Sequence, residues 1–160
     1  VGQHLPEGQG LNELRPLDPV IVVHSLAHAV AALEAAVEFG CAITLASAPD
    51  AGVYAGPGWF KALVEAARGA VPAASFSVVL DCGDDAGAAQ GALRAGIEAI
   101  VFIGRADVAQ RLAAIAKAQG GRLLTTRPEA VADLGNWFFA DAETLRRQCA
   151  AHLASLPAIC

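Results

Sequence analysis

The chain has 160 residues, 55% of them apolar and 17% charged, with a formal net charge of −5. That length suits one domain burying about 70% of its unfolded surface, and the composition excludes disorder over most of it. An acidic balance without a Lys/Arg cluster excludes nucleic acid as a partner, because phosphates want a basic face.

Residues 1–18 are polar, carry Gly and Pro and lack periodicity, which predicts an extended N-terminal arm ahead of one α/β domain at residues 19–160. The first strand is Val20-Ile21-Val22-Val23, a β-branched run of the kind buried on both faces. Helical spacing follows from Ala27 to Phe39 and stops at Gly40. Cys41 to Ala46 is the second strand. A Gly/Pro-rich loop then leads to a helix from Trp59 to Arg68. The unit recurs as a strand at Phe76–Leu80, a helix at Asp85–Ala95, a strand at Ala99–Ile103, a helix at Ala106–Gln119 and a strand at Arg122–Thr125. Pro128 is expected to open a short helix, Trp137-Phe138-Phe139 to form a sixth short strand, and Ala142–Leu156 to close the chain as a helix.

Alternating strands and helices mean βαβ units and a parallel sheet of five to six strands with flanking helices. Eight strands and about 250 residues would be needed for a closed barrel, so the sheet is either partial (β/α) barrel-like or open and doubly wound. In both, function gathers at the carboxyl ends of the strands.

That rule selects the candidates. Asp81 ends an uninterrupted apolar strand, where a carboxylate can act as a general base or hold a substrate hydroxyl, or simply cap the following turn. Asp84 and Asp85 stand at a helix start, where capping accounts for at least one of them. Cys82 is a nucleophile or soft ligand in one reading and a buried inert thiol in the other; acidic neighbours favour the second. His24 ends the first strand, as a functional group or as a plain rim histidine. Arg105 and Arg127 follow later strands and can each hold an anion. No third ligand accompanies His24 and His28, so no metal and no cofactor are expected. Neither GxxxxGK[ST] nor GxGxxG occurs, which counts against a nucleotide phosphate loop.

The order ALEAAVEFGCAITLASAPDAGVYAG, WFKALVEAA and VVLDCGDDAGAAQGALRAGIEAIVFIG resembles the N-terminal half of class II (metal-dependent) fructose-bisphosphate aldolases over about residues 20–104. The resemblance implies barrel-like ancestry. It places Asp81 on the family's proton-transferring aspartate, Ser47 on a substrate-contacting serine and Cys82 on a zinc-binding histidine. The metal site is incomplete, since no histidine follows Gly104 until His152 in the closing helix.

Two functions compete. One is an aldolase-like lyase or binder of a small sugar-phosphate-like compound, with Asp81 as base and His24, Ser47, Cys82, Asp84 and Arg105 around the substrate. The other is a non-catalytic scaffold or regulatory module, whose exposed sheet edges predict a homo-oligomer. The N-terminal stretch has no apolar h-region and no run reaches the ~18 apolar residues of a bilayer span, so neither a signal peptide nor a membrane partner is expected. Four cysteines without CxxC spacing make a reduced, cytoplasmic setting the default expectation.

Overall fold

The computed structural model describes residues 16–157; most of the expected arm, residues 1–15, lies outside them. Six strands form one all-parallel sheet: β1 (Val20–Val23), β2 (Ile43–Ser47), β3 (Phe76–Asp81), β4 (Ala99–Val101), β5 (Arg122–Leu124) and β6 (Ala132–Asp133). Their order is β5-β4-β3-β2-β1-β6. The helices are α1 (Leu26–Phe39), α2 (Ala51–Tyr54), α3 (Pro57–Ala70), α4 (Ala86–Arg94), α5 (Ala106–Ala118) and α6 (Ala142–Ala154).

The alternation of side chains along each strand divides the core in two. Ile21, Val23, Ile43, Leu45, Val78, Leu80 and Ile100 face the helices and join their apolar residues in one large cluster. Val20, Ala46, Val79, Ala99 and Val101 point the other way into a smaller cluster to which no helix contributes. The helices also touch in sequence, α5 on α4, α4 on α3, α3 on α1 and α1 on α6. All of them therefore cover one face. The strands β1 to β5 are adjacent in chain order, and β6 joins on the other side of β1. The sheet stays open, with β5 and β6 at its two ends.

Local sequence explains the helix layer. The inward face of α1 is built from Ala29, Ala32, Ala35 and Ala36 around one Leu33, all fully buried, so small side chains let its neighbours come close. Ser25 caps α1 by accepting the His28 N–H, Asp85 caps α4 by accepting the Ala88 N–H, and Asp141 caps α6 by accepting the Thr144 N–H.

The last third departs from expectation. No helix starts at Pro128. Residues 125–131 instead carry the chain from one end of the sheet to the other across the helix-free face, where Ala130 packs on the smaller cluster. Val131 N–H then donates to Val20 O at 2.8 Å, which commits this backbone to the sheet rather than to a helical turn. The sixth strand is Ala132–Asp133, not Trp137–Phe139. Asp133 accepts the Gly135 N–H and so starts a 3-10 helix at Leu134–Trp137. The aromatic run that imitated a strand is surface: Phe139 is 96% exposed. The Gly/Pro-rich loop also holds the unforeseen α2.

Candidate functional site

Asp81 is the last residue of β3, and alternation turns its carboxylate to the helix-free face. Its side chain is only 6% exposed. Oδ1 accepts the backbone N–H of Asp50 at 3.0 Å and of Gly83 at 2.9 Å. Arg127, from the segment crossing that face, closes the group: Nε donates to Oδ2 at 2.6 Å and Nη2 to Oδ1 at 3.3 Å. Nη2 also donates to Asp50 Oδ1 at 3.0 Å. Arg127 thus latches the crossing segment onto the ends of β2 and β3. Its guanidinium is held still more firmly protonated, chiefly by the hydrogen bond to Asp81.

The turns around Asp81 are made for this arrangement. Asp50 has φ 61°, a left-handed conformation that Asp tolerates better than most residues. Gly83 also has positive φ, and a β-carbon there would run into the Asp50 carboxylate. Ser47, at the end of β2, is buried; its hydroxyl accepts the Asp81 N–H at 2.9 Å and donates to Ala48 O at 3.0 Å. It ties β2 to β3 through the backbone.

A second polar group lies at the ends of β1 and β6. His24 Nε2 is 2.6 Å from Asp133 Oδ1. Burial alone would raise the Asp133 pKa, but the Gly135 N–H and His24 outweigh it and hold the carboxyl below its usual range. His28, one turn into α1, is fully buried and accepts the His24 backbone N–H on Nδ1 at 3.1 Å. Its Nε2 has no hydrogen bond of normal geometry, and the Trp137 backbone and the Asp133 charge favour its protonation. Burial dominates and pushes the His28 pKa down.

Between the two groups lies a cavity of about 110 Å³, floored by Val22, Ala46 and Val79 and closed by Asp81, Arg127 and Asp133. Ligand pockets are usually about 300–1,000 Å³, so the latched segment leaves room for only a small group.

The remaining sequence candidates stand elsewhere. Cys82 follows the alternation to the other face, joins the helix-side core and is fully buried, with Gly52 packed against its sulfur. Burial, with Asp81 and Asp85 adding to it, pushes its thiol up to about 12. Asp84 is exposed. Arg105 is paired with Asp107 through two hydrogen bonds of 3.0 and 2.9 Å, at the exposed start of α5. The structure therefore brings together Asp81 and Ser47, with His24 entering through Asp133. Arg127 takes the place expected of Arg105. Nothing in the local sequence pointed to Asp133, because the aromatic run two residues beyond its turn diverted the strand assignment.

Winding and rim together define an open, all-parallel α/β sheet flanked by helices, with polar side chains at its strand ends. No protein-family model and no curated protein matches the sequence. Among solved structures, the chain is similar to a candidate fructose-1,6-biphosphate aldolase from Coccidioides immitis, with a TM-score of 0.53 and 24% identity over 67% of this chain. The match spans 40% of that protein's length. The similarity is one of fold, and the fold is aldolase-like.

A metal of the kind the class II resemblance implies does not fit these residues. The position matched to a zinc ligand holds Cys82, a protonated thiol facing the helices. Among the described residues no group of three or more His, Cys, Asp and Glu side chains is arranged to hold a metal ion. No helix among them is long and apolar enough to cross a membrane.

Proposed function

We propose that this chain uses the aldolase-like fold to bind a small hydroxylated compound bearing an anionic group, at the carboxyl ends of β1 to β3. The observation that supports this reading is the unequal pair of carboxylates on Arg127. Asp81 holds Nε from a buried position, whereas Asp50 holds Nη2 from a side chain 56% exposed. Exposed pairs are worth only about 0–1 kcal/mol, so a ligand phosphate or carboxylate can replace Asp50 at small cost. Hydroxyls of the same ligand can donate to Asp81 and Asp133, which line the cavity. The crossing segment shifts outward to admit it.

Aldol-type lyase chemistry on such a compound is the finer form of this proposal, consistent with the class II likeness of residues 20–104. A thermal-shift series with inorganic phosphate, dihydroxyacetone phosphate and fructose 1,6-bisphosphate tests it. Stabilisation by a ligand at 100 times its Kd is about 2.7 kcal/mol. A shift seen with a sugar phosphate and lost in Arg127→Met supports the reading. No shift at millimolar concentrations of any of the three refutes it for this class.

A second reading has its own observation. Asp81 already meets two N–H groups and a guanidinium, so the site is chemically satisfied as it stands. On that reading the chain is a non-catalytic scaffold, and the open edges at β5 and β6 pair with a second copy. A concentration-independent monomer in sedimentation velocity speaks against it.

A further inference from the structure

The group best prepared to move a proton at this rim is His24. Its Nε2 lies on the Asp133 carboxylate at 2.6 Å, so the ring carries its hydrogen there and keeps a lone pair on Nδ1. Three contacts fix the ring. Asp133 is itself oriented by the Gly135 N–H at 2.9 Å. Gly135 lies against the Nε2–Cε1 edge so closely that a β-carbon would sit 2.8 Å from Nε2 and 3.0 Å from Cε1. His28 meets the ring edge-on with centroids 5.9 Å apart and anchors the His24 backbone. The side chain remains 27% exposed, and Nδ1 takes part in none of the hydrogen bonds made by the described residues.

Asp81 is the poorer base. Its two oxygens accept two backbone N–H groups and the Arg127 guanidinium, and taking a proton would forfeit that pairing. We infer that His24 Nδ1 is the proton-abstracting base of the site, acting on a C–H adjacent to the carbonyl of a small hydroxycarbonyl compound, with Asp133 as its positioning residue. The Nδ1 lone pair takes the proton, the C–H bonding pair remains on the substrate as an enolate, and return of a proton from the imidazolium restores both. Solvent deuterium enters the substrate through that return. This rests on the reading of the rim as a small-molecule site.

The test is deuterium incorporation into dihydroxyacetone phosphate in D₂O, followed by proton NMR beside the thermal shift of the same samples. General-base catalysis contributes about 10²–10⁴-fold, so His24→Gln should slow exchange at least 100-fold while the ligand-induced shift persists. Asp133→Asn should slow exchange as well, with a ligand-induced shift reduced because Asp133 also lines the cavity. Added imidazole should restore exchange to His24→Ala, which a purely structural histidine would not allow. Binding without exchange in the wild type, or exchange at the wild-type rate in His24→Gln, overturns the inference and leaves the binding proposal standing. Neither binding nor exchange overturns both.

Discussion

The latch between Arg127 and Asp81 makes a quantitative prediction. Asp81→Asn keeps an oxygen for the Asp50 and Gly83 N–H groups but presents an amide N–H₂ to Arg127 Nε, which lies 2.6 Å from Oδ2. Donor then faces donor, and one charge-assisted bond is lost in a site 6% exposed on the carboxylate side. Hydrogen bonds to charged groups contribute about 1.5–3 kcal/mol, so Asp81→Asn should cost about 2–3 kcal/mol. Arg127→Met leaves Asp81 ionised but still held by two N–H groups. The guanidinium is 39% exposed, which places its loss below the 3–5 kcal/mol of a fully buried pair, at about 2 kcal/mol. Asp50→Asn, which tolerates the left-handed backbone, removes only the exposed contact and should cost under about 1 kcal/mol.

Because Asp81 and Arg127 lose the same bond, the double variant should fall short of additivity by about 1–2 kcal/mol. Urea unfolding followed by far-UV circular dichroism measures the wild type and all four variants, with the slope against urea checked for constancy. Each kcal/mol corresponds to about 2–4 °C in Tm for a chain of this size. Arg127→Met should also speed hydrogen exchange at the Val131 amide, which depends on the crossing segment staying in place. A cost for Asp81→Asn no larger than for Asp50→Asn, with additivity within about 0.3 kcal/mol, would refute the latch.

Three further outcomes follow from the same geometry. Gly135→Ala places a β-carbon against the His24 ring, so His24 should separate from Asp133, and the His24 ring signals in NMR should move as they do in Asp133→Asn; unchanged signals would show that the loop simply shifts. His28 has its pKa lowered by burial, so the unfolded chain binds more protons below pH ~6.5 and stability falls as pH drops from there through the folded value, by up to about 1.4 kcal/mol per pH unit. The stability difference between wild type and His28→Asn, measured by urea unfolding at several pH values, should show that slope; a pH-independent difference contradicts it. Cys82 and Cys149, both fully buried with thiols pushed up to about 12 and about 11, should resist iodoacetamide at pH 8 until the protein unfolds, as read by peptide mass spectrometry.

The first five strands were legible because each is a short β-branched or apolar run bounded by helical periodicity, and period alone separates the two. Val20-Ile21-Val22-Val23 and Phe76–Leu80 fall on β1 and β3 almost residue for residue. Periodicity fails once an element is too short to have a period. Ala132–Asp133 is two residues long and is a strand only because β1 offers it a free edge. Trp137-Phe138-Phe139 has strand composition but no strand to pair with, and Asp133 capping the turn decides the backbone instead. The helix layer raises a related difficulty: sequence could not say whether helices lie on one face or two. The small residues Ala46 and Ala99 on the helix-free face were the only trace of that choice.

The site divides along the same line. Asp81 and Ser47 were readable because a strand end fixes where a side chain goes, and alternation fixes its face. Arg105 and Arg127 were indistinguishable by that rule, since each follows a late strand. What separates them is the next few residues. Arg105 is followed two positions later by Asp107, a carboxylate within its own reach, and it closes on that partner. Arg127 also has an acid two positions on, Glu129, but Pro128 stands between them and keeps the segment out of a helix, and its charge is met by carboxylates distant in sequence. Its partners, Asp81 and Asp50, lie 46 and 77 residues away. An arginine followed directly by a proline, which keeps its segment out of a helix, is the sequence feature that marks the latch. It also explains why Asp81, the residue with the strongest positional claim to chemistry, is held by a cation, whereas His24 meets a carboxylate partner that arrives on β6.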